Sequence, residues 1–424
     1  MVSTHPPTMN DPVPKDGFLF RQPILDRKQE LAGYQLSFRS HVDPSDDGDC
    51  PGPSAPLCAA YSELGMRHAL GNVQAFIGID GAFLHEAALE LLPPDGVVLE
   101  LLLNEIPDKA TLARCQDLRQ RGYELALTDY RGIDDRSRVL LPMVEVIKID
   151  LRTADEGQLR DLAGSLRHLP VKLLAQRVHT REQMERCHSL GFDLFQGRYF
   201  AQAEVVSGRR LSASQAALIR LINLVGRDVD TVVIEDAFKH EPALTLNLLR
   251  VVNAVGHRGH RFSQPITSPR HAITLIGRRQ LQRWLLLLMT APANGTADPA
   301  RSPLLQVAAL RGRMMELLIS VMQAKDHQLT DLAFLTGILS MMPTALGLPL
   351  EEILEQIAVE RAVSSALCRR EGLLGKILTL LECFDGDDVA GCDRLLFELP
   401  GRVDRRQLNR CLSDALRWLN SNSD

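Results

Sequence analysis

Up to Ala203, short runs of Val, Ile, Leu and Phe alternate with stretches whose apolar residues recur at helical spacing. Runs this short and this rich in branched and aromatic residues predict strands. Eight are found, at Phe18–Ile24, Leu31–Phe38, Val73–Ile79, Val97–Leu103, Tyr123–Thr128, Val144–Ile149, Val171–Ala175 and Phe192–Phe195. From the third strand onward helix-length stretches intervene, such as Gly81–Leu92, Lys109–Gly122, Asp155–His168 and Thr180–Leu190. An α/β fold follows, and a (β/α)8 barrel fits both the strand count and the length.

Beyond Ala203 the strand runs stop. Helix-period segments separated by Pro, Gly and Asn take over: Ser212–Val225, Thr231–Lys239, Pro242–Ala254, Ser268–Ile276, Arg279–Thr290, Leu305–Ala324, Thr330–Met342 and several more. The pattern predicts α/β plus all-α: a Pro-rich disordered tail over 1–15, a barrel over 16–205 and a helical domain over 206–424. Asp43–Pro56 reads as a surface loop, and the junction falls near Gln202–Leu211.

Composition narrows the class. The 424 residues suffice for two or three domains, and 45% hydrophobic with 24% charged residues is a globular composition. With 48 basic against 53 acidic side chains, no global field draws the chain to nucleic acid or to an anionic membrane. The eight cysteines form no CxxC pair, which argues against a zinc knuckle or a disulfide framework. No apolar run approaches the roughly 20 residues of a membrane span. Met1–Pro14 is polar and Pro-rich where a secretory leader is apolar, so a cytoplasmic location is expected.

A barrel enzyme places its reacting groups at the carboxyl ends of its strands. Here those ends carry Gln35, Gly78, Glu100, Thr128 with Asp129, Lys148 with Asp150, Gln176 and Gln196. Two divalent ions need several hard carboxylates converging on one point. Glu100, Asp129 and Asp150 are the carboxylates on offer, and several flanking positions are neutral.

The segments RQPI (Arg21–Ile24), GYQLSFR (Gly33–Arg39), VIKID (Val146–Asp150), LLAQRV (Leu173–Val178) and GFDLFQGRYF (Gly191–Phe200) resemble the EAL-type cyclic di-GMP phosphodiesterases. That resemblance implies that Gln35, Gly78, Thr128 and Gln176 stand where the family has metal ligands. It also implies that Glu100, Asp129, Lys148 and Gln196 match the active pattern, while TDYRGIDD (Thr128–Asp135) replaces a Gly-rich loop. Gln22 and Arg39 match residues that touch the dinucleotide in that family. The expectation is a degenerate barrel without metal, cofactor or enzymatic activity, binding cyclic di-GMP weakly or not at all. Glu100, Asp129 and Lys148 are expected to form an ion-pair cluster, with Asp150 beside Lys148.

In the helical half, EPALTLNLLRVVNA (Glu241–Ala254) and ITSPRHAITLIGRRQLQRW (Ile266–Trp284) resemble the HD-related output domain, HDOD. Together the two halves are similar to the YuxH-like family of bacterial signalling proteins. Ser340 and Met341 stand where an HD phosphohydrolase has its His–Asp pair, so no metal site is expected there, and His257, His260 and His271 lack ligand partners at helical spacing. Asn253 is expected to cap its helix. Arg250, Arg258, Arg261, Arg270, Arg278, Arg279 and Arg283 form the densest basic cluster, read as a surface for a protein partner; few aromatics are interleaved for nucleic-acid bases. The functional expectation is a signalling adaptor that binds other signalling proteins. The alternatives are a cyclic di-GMP receptor and a residual phosphodiesterase.

Overall fold

The computed structural model describes residues 17–39, 54–102, 106–201, 211–227, 229–258, 266–290, 302–323, 326–401 and 403–421. The tail 1–15, most of the 43–56 loop, nearly all of the junction and Arg261 lie outside them.

Eight strands close into a barrel in chain order: β1 (Phe18–Asp26), β2 (Leu31–Arg39), β3 (Gln74–Asp80), β4 (Val97–Leu102), β5 (Glu124–Leu127), β6 (Val146–Asp150), β7 (Lys172–Val178) and β8 (Leu194–Gly197). All eight fall where the hydrophobic pattern put them. The barrel is not uniformly parallel, because β1 runs antiparallel to both β2 and β8. Four residues separate β1 from β2, too few for a parallel crossover, so the chain must make a hairpin. Gln29 takes φ 61° in that turn, and Asp26 Oδ1 accepts from Lys28 N at 2.8 Å and Glu30 N at 2.9 Å. The stretch expected to be the helix Gly81–Leu92 is instead two 3₁₀ turns, Phe83–His85 and Ala87–Leu91, parted by the extended backbone of Glu86.

Ile24, Phe76, Val98, Ala126, Val146, Leu174 and Leu194, from seven different strands, pack as one buried apolar layer. Strand side chains alternate, so the residue two steps further on faces the same way. On the parallel strands those residues are Gly78, Glu100, Thr128, Lys148, Gln176 and Gln196, and on the reversed β1 it is Gln22. The candidate positions therefore form a second layer directly above an oily floor.

The chain separates into two compact units: Met1–Gln202 with Leu317–Lys325 and Thr379–Asp424, and Ala203–Glu316 with Asp326–Leu378. The helical domain expected over 206–424 is thus divided, its last helices belonging with the barrel. The cause lies in β1, which pairs with β8 only over Ile24–Asp26 and leaves its first half without a strand on that side. Asn409, on the helix Arg405–Ser421, completes that edge: its Oδ1 accepts from Leu19 N at 2.9 Å and its Nδ2 donates to Gly17 O at 2.8 Å. Leu408, Leu412, Ala415 and Leu416 give this helix its buried stripe. Ser413 Oγ donates to Leu64 O at 2.7 Å and Asn420 Nδ2 to Ala69 O at 2.5 Å.

In the second unit the expected helices Ser268–Ile276 and Arg279–Thr290 join as Pro269–Met289, bent at Gly277, whose φ of 75° breaks the helical path. The helices Pro303–Met322 and His327–Leu339 cross at two glycines, where a Cβ on Gly337 would lie 2.5 Å from Gly312 Cα. Asn253 is not a cap. Its helix continues to Arg258, and its side chain pairs with both backbone groups of Ile266, at 2.7 and 2.9 Å. Among the described residues, His327–Leu346 is long and apolar enough by composition to cross a membrane, and half of it is buried in the fold.

Candidate functional site

Lys148 sits at the centre of the second barrel layer, its side chain fully buried. Its Nζ donates to Glu100 Oε1 and to Gln35 Oε1, the latter at 2.5 Å, and lies 5.8 Å from the centroid of the Phe76 ring. Gln35 Nε2 in turn donates to Glu100 Oε2 at 2.8 Å and to Phe76 O at 3.2 Å. Both carboxylate oxygens and both ends of the amide are thereby matched, the condition under which a buried ion pair is tolerable. Beside this set, Gln196 Nε2 donates to Gln22 Oε1, joining β8 to β1. Gln196 is buried, and its Oε1 accepts no hydrogen bond among the described residues. Arg39 is buried at the end of β2, opposite Phe18.

Burial pushes the Tyr34 phenol above its ordinary value, against the opposing pull of Arg21. Burial, and then the charge of Asp26, does the same to Tyr199. Both phenols are therefore neutral around pH 7.

The expected cluster of Glu100, Asp129, Lys148 and Asp150 forms only in part. Asp129 follows the end of β5 with φ 52°, a backbone turn that carries its carboxylate outward, half exposed, to Arg131 Nε at 3.0 Å. Asp150 pairs with Arg177 at 3.1 Å and Arg152 at 3.3 Å. Thr128 Oγ1 donates to Leu101 O at 3.0 Å. Gly78 is buried opposite Glu100, and Gln176 pairs with Asp150 and Gln196 in register. Glu100 is the acid at the centre, and one of its oxygens is held by an ammonium. Among the described residues no three His, Cys, Asp or Glu converge as metal ligands. This donor set does not fit a pair of divalent ions, which require several free carboxylate oxygens.

In the helical unit, Arg311 Nη1 donates to Ser340 Oγ and approaches Met341 Sδ, both at 3.0 Å, so a guanidinium lies against both of these residues. The basic cluster is not one open face. Arg283 bonds Glu316 at 2.7 Å and Asp331 at 2.9 Å and covers the Phe334 ring at 4.2 Å, while Arg279 reaches Asp331 at 2.8 Å. Arg250 and Arg270 are exposed, Arg278 is half-buried and Arg258 closes its helix. No local pattern marks Arg279 and Arg283 as serving the fold, because Glu316 and Asp331 lie 33 and 48 residues from Arg283.

The EAL domain model matches residues 80–203, and the HDOD domain model matches residues 212–365. The chain joins an EAL domain to an HDOD domain. The uncharacterized protein YuxH of Bacillus subtilis is 24% identical over 96% of this chain and 99% of its own length. The cyclic di-GMP phosphodiesterase CdgJ of Vibrio cholerae is 29% identical over 95% of this chain and 92% of its own. An EAL domain protein of Listeria monocytogenes EGD-e superposes with a TM-score of 0.37 at 18% identity, covering 44% of this chain and 88% of that one. These likenesses correct one expectation. The EAL match and the phosphodiesterase relative point toward enzymatic activity, which overturns the reading of the EAL–HDOD chain as a non-enzyme.

Proposed function

We propose that this chain acts in cyclic di-GMP signalling as a cytoplasmic phosphodiesterase, with the EAL barrel handling the dinucleotide and the HDOD unit contacting other signalling proteins. One observation carries the reading: a buried Lys148–Glu100 pair stands at the strand ends where a barrel does its chemistry, in a chain alignable almost end to end with a phosphodiesterase. Hydrolysis adds water across one P–O bond of the cyclic dinucleotide and yields the linear one. Lys148 supplies a fixed positive charge for a phosphate oxygen, and Glu100 is the central group able to accept the water's proton. Gln22, Gln196 and Arg39 supply amide and guanidinium groups that orient the ligand. Releasing Lys148 and Glu100 from each other opposes turnover, so the rate is expected to be low.

The full chain is incubated with cyclic di-GMP, with Mg²⁺, with Mn²⁺ and with EDTA, and the linear product is followed by chromatography. Product should form in proportion to protein and disappear in Glu100→Gln. Tight binding by calorimetry without product above that control replaces the enzyme with a receptor, and neither binding nor product removes the dinucleotide from the account.

A further inference from the structure

The barrel closes where its first strand meets its last, a short antiparallel seam. β1 pairs with β2 from Phe18 to Leu25, but with β8 over three residues only. At this seam the end of the helix Gly372–Asp385 and the turn after it supply groups from outside the barrel. Phe384 lies 5.2 Å from the Phe20 ring and 6.3 Å from that of Phe18. Asp385 pairs with Arg21 of β1 at 3.7 Å, and Asp387 pairs with Arg198, the residue following β8, at 3.8 Å. The Arg21 and Asp387 side chains are 6% and 8% exposed, so each ion pair has one member shielded from water. Asp387 takes φ 55° and follows Gly386, so the turn has a backbone shape that presents neighbouring carboxylates to different strands. On the inner side of the same seam, Gln22 next to Arg21 bonds Gln196, two residues before Arg198.

We propose that the acidic turn Asp385–Asp387 is a clamp that fixes the spacing of β1 and β8, making Asp385 and Asp387 positioning residues for the Gln22–Gln196 pair. The consequence for the ligand rests on the barrel being the dinucleotide site. Asp385 and Asp387 touch no reacting atom; they act through Arg21 and Arg198. The helix that delivers the turn begins among residues of the second unit, up to Leu378, and ends among those of the first.

The test uses the full chain with Asp385→Asn/Asp387→Asn, and Asp385→Glu/Asp387→Glu as the charge-retaining control. Hydrogen exchange is read at β1 and β8 and, as reference, at β3 to β6. The Asn pair should exchange about tenfold faster at β1 and β8 alone, a local opening matching the loss of two partly shielded ion pairs. The Glu pair should recover most of the protection. With cyclic di-GMP, KM should rise several-fold in the Asn pair while kcat holds. Unchanged exchange, exchange raised equally in every strand, or a loosened seam with unchanged KM each overturns the clamp. If the unaltered chain neither binds nor hydrolyses the dinucleotide, the functional reading fails, and the exchange pattern alone decides the clamp.

Discussion

Two charged clusters in this molecule obey different rules. In the barrel, one ammonium, one carboxylate and one amide satisfy one another with the ion pair sealed from water. In the helical unit, Arg279, Arg283 and Arg313 share Glu316 and Asp331, and exposure runs from 10% at Glu316 to 62% at Arg279. A sealed set stands or falls whole, because any member left alone is a buried polar group with no water to turn to. A graded network loses one member and rehydrates the rest.

The largest effect is expected from Lys148→Met, which strands the Glu100 charge and should destabilise the barrel by about 3–5 kcal/mol in urea unfolding. Adding Glu100→Gln should recover much of that loss. A Lys148→Met cost below about 1 kcal/mol, the range of exposed pairs, would erase the distinction between the clusters. Next comes Gln35→Glu, which puts a carboxylate where an amide now donates to Glu100 at 2.8 Å. Thermal melts in EDTA should show a loss of at least about 1–3 kcal/mol. Mn²⁺ should restore it, since two acids then face one point, and a Mn²⁺ shift of equal size in the unaltered chain would contradict the donor count given above.

Within the helical unit, Arg283→Ala should cost about 1–3 kcal/mol through its two acids and the Phe334 ring, and Arg279→Ala no more than about 0.5 kcal/mol. Equal losses would mean that exposure does not grade the network. The thiols show no effect at neutral pH. Burial raises the Cys115 and Cys187 thiols of the barrel unit from 9.0 to about 11. Unfolded chains therefore ionise these thiols before folded ones do. Their contribution is complete below pH 9 and is lost as pH rises toward 11, so the melting temperature should fall across that window and fall less in Cys115→Ala/Cys187→Ala. At pH 8 a thiol reagent should label exposed Cys368 of the helical unit and spare these two.

The strands were legible because a period of two is a local property, and the same period put Glu100, Lys148 and Gln196 in one layer. Gln35 could be found from its place at a strand end, but the way it answers both Lys148 and Glu100 depends on three strands at once. Asp129 misled because a single positive φ reverses its direction, which residue type alone does not announce. The last helices looked like the rest of the helical half. Their attachment depends on Asn409, Ser413 and Asn420, polar residues that any amphipathic helix carries on its surface.

Asn409 also sets a schedule for synthesis. It lies 390 residues from Leu19, the backbone it completes. At roughly 5–20 residues per second, a nascent chain carries an unfinished β1 edge for on the order of 20–80 s after that strand is made. An open edge is a template for pairing with another chain. The newborn protein is therefore most vulnerable to mispairing while its helical half is still being translated, and a ribosome stalled before Asn409 releases a barrel with that edge uncovered.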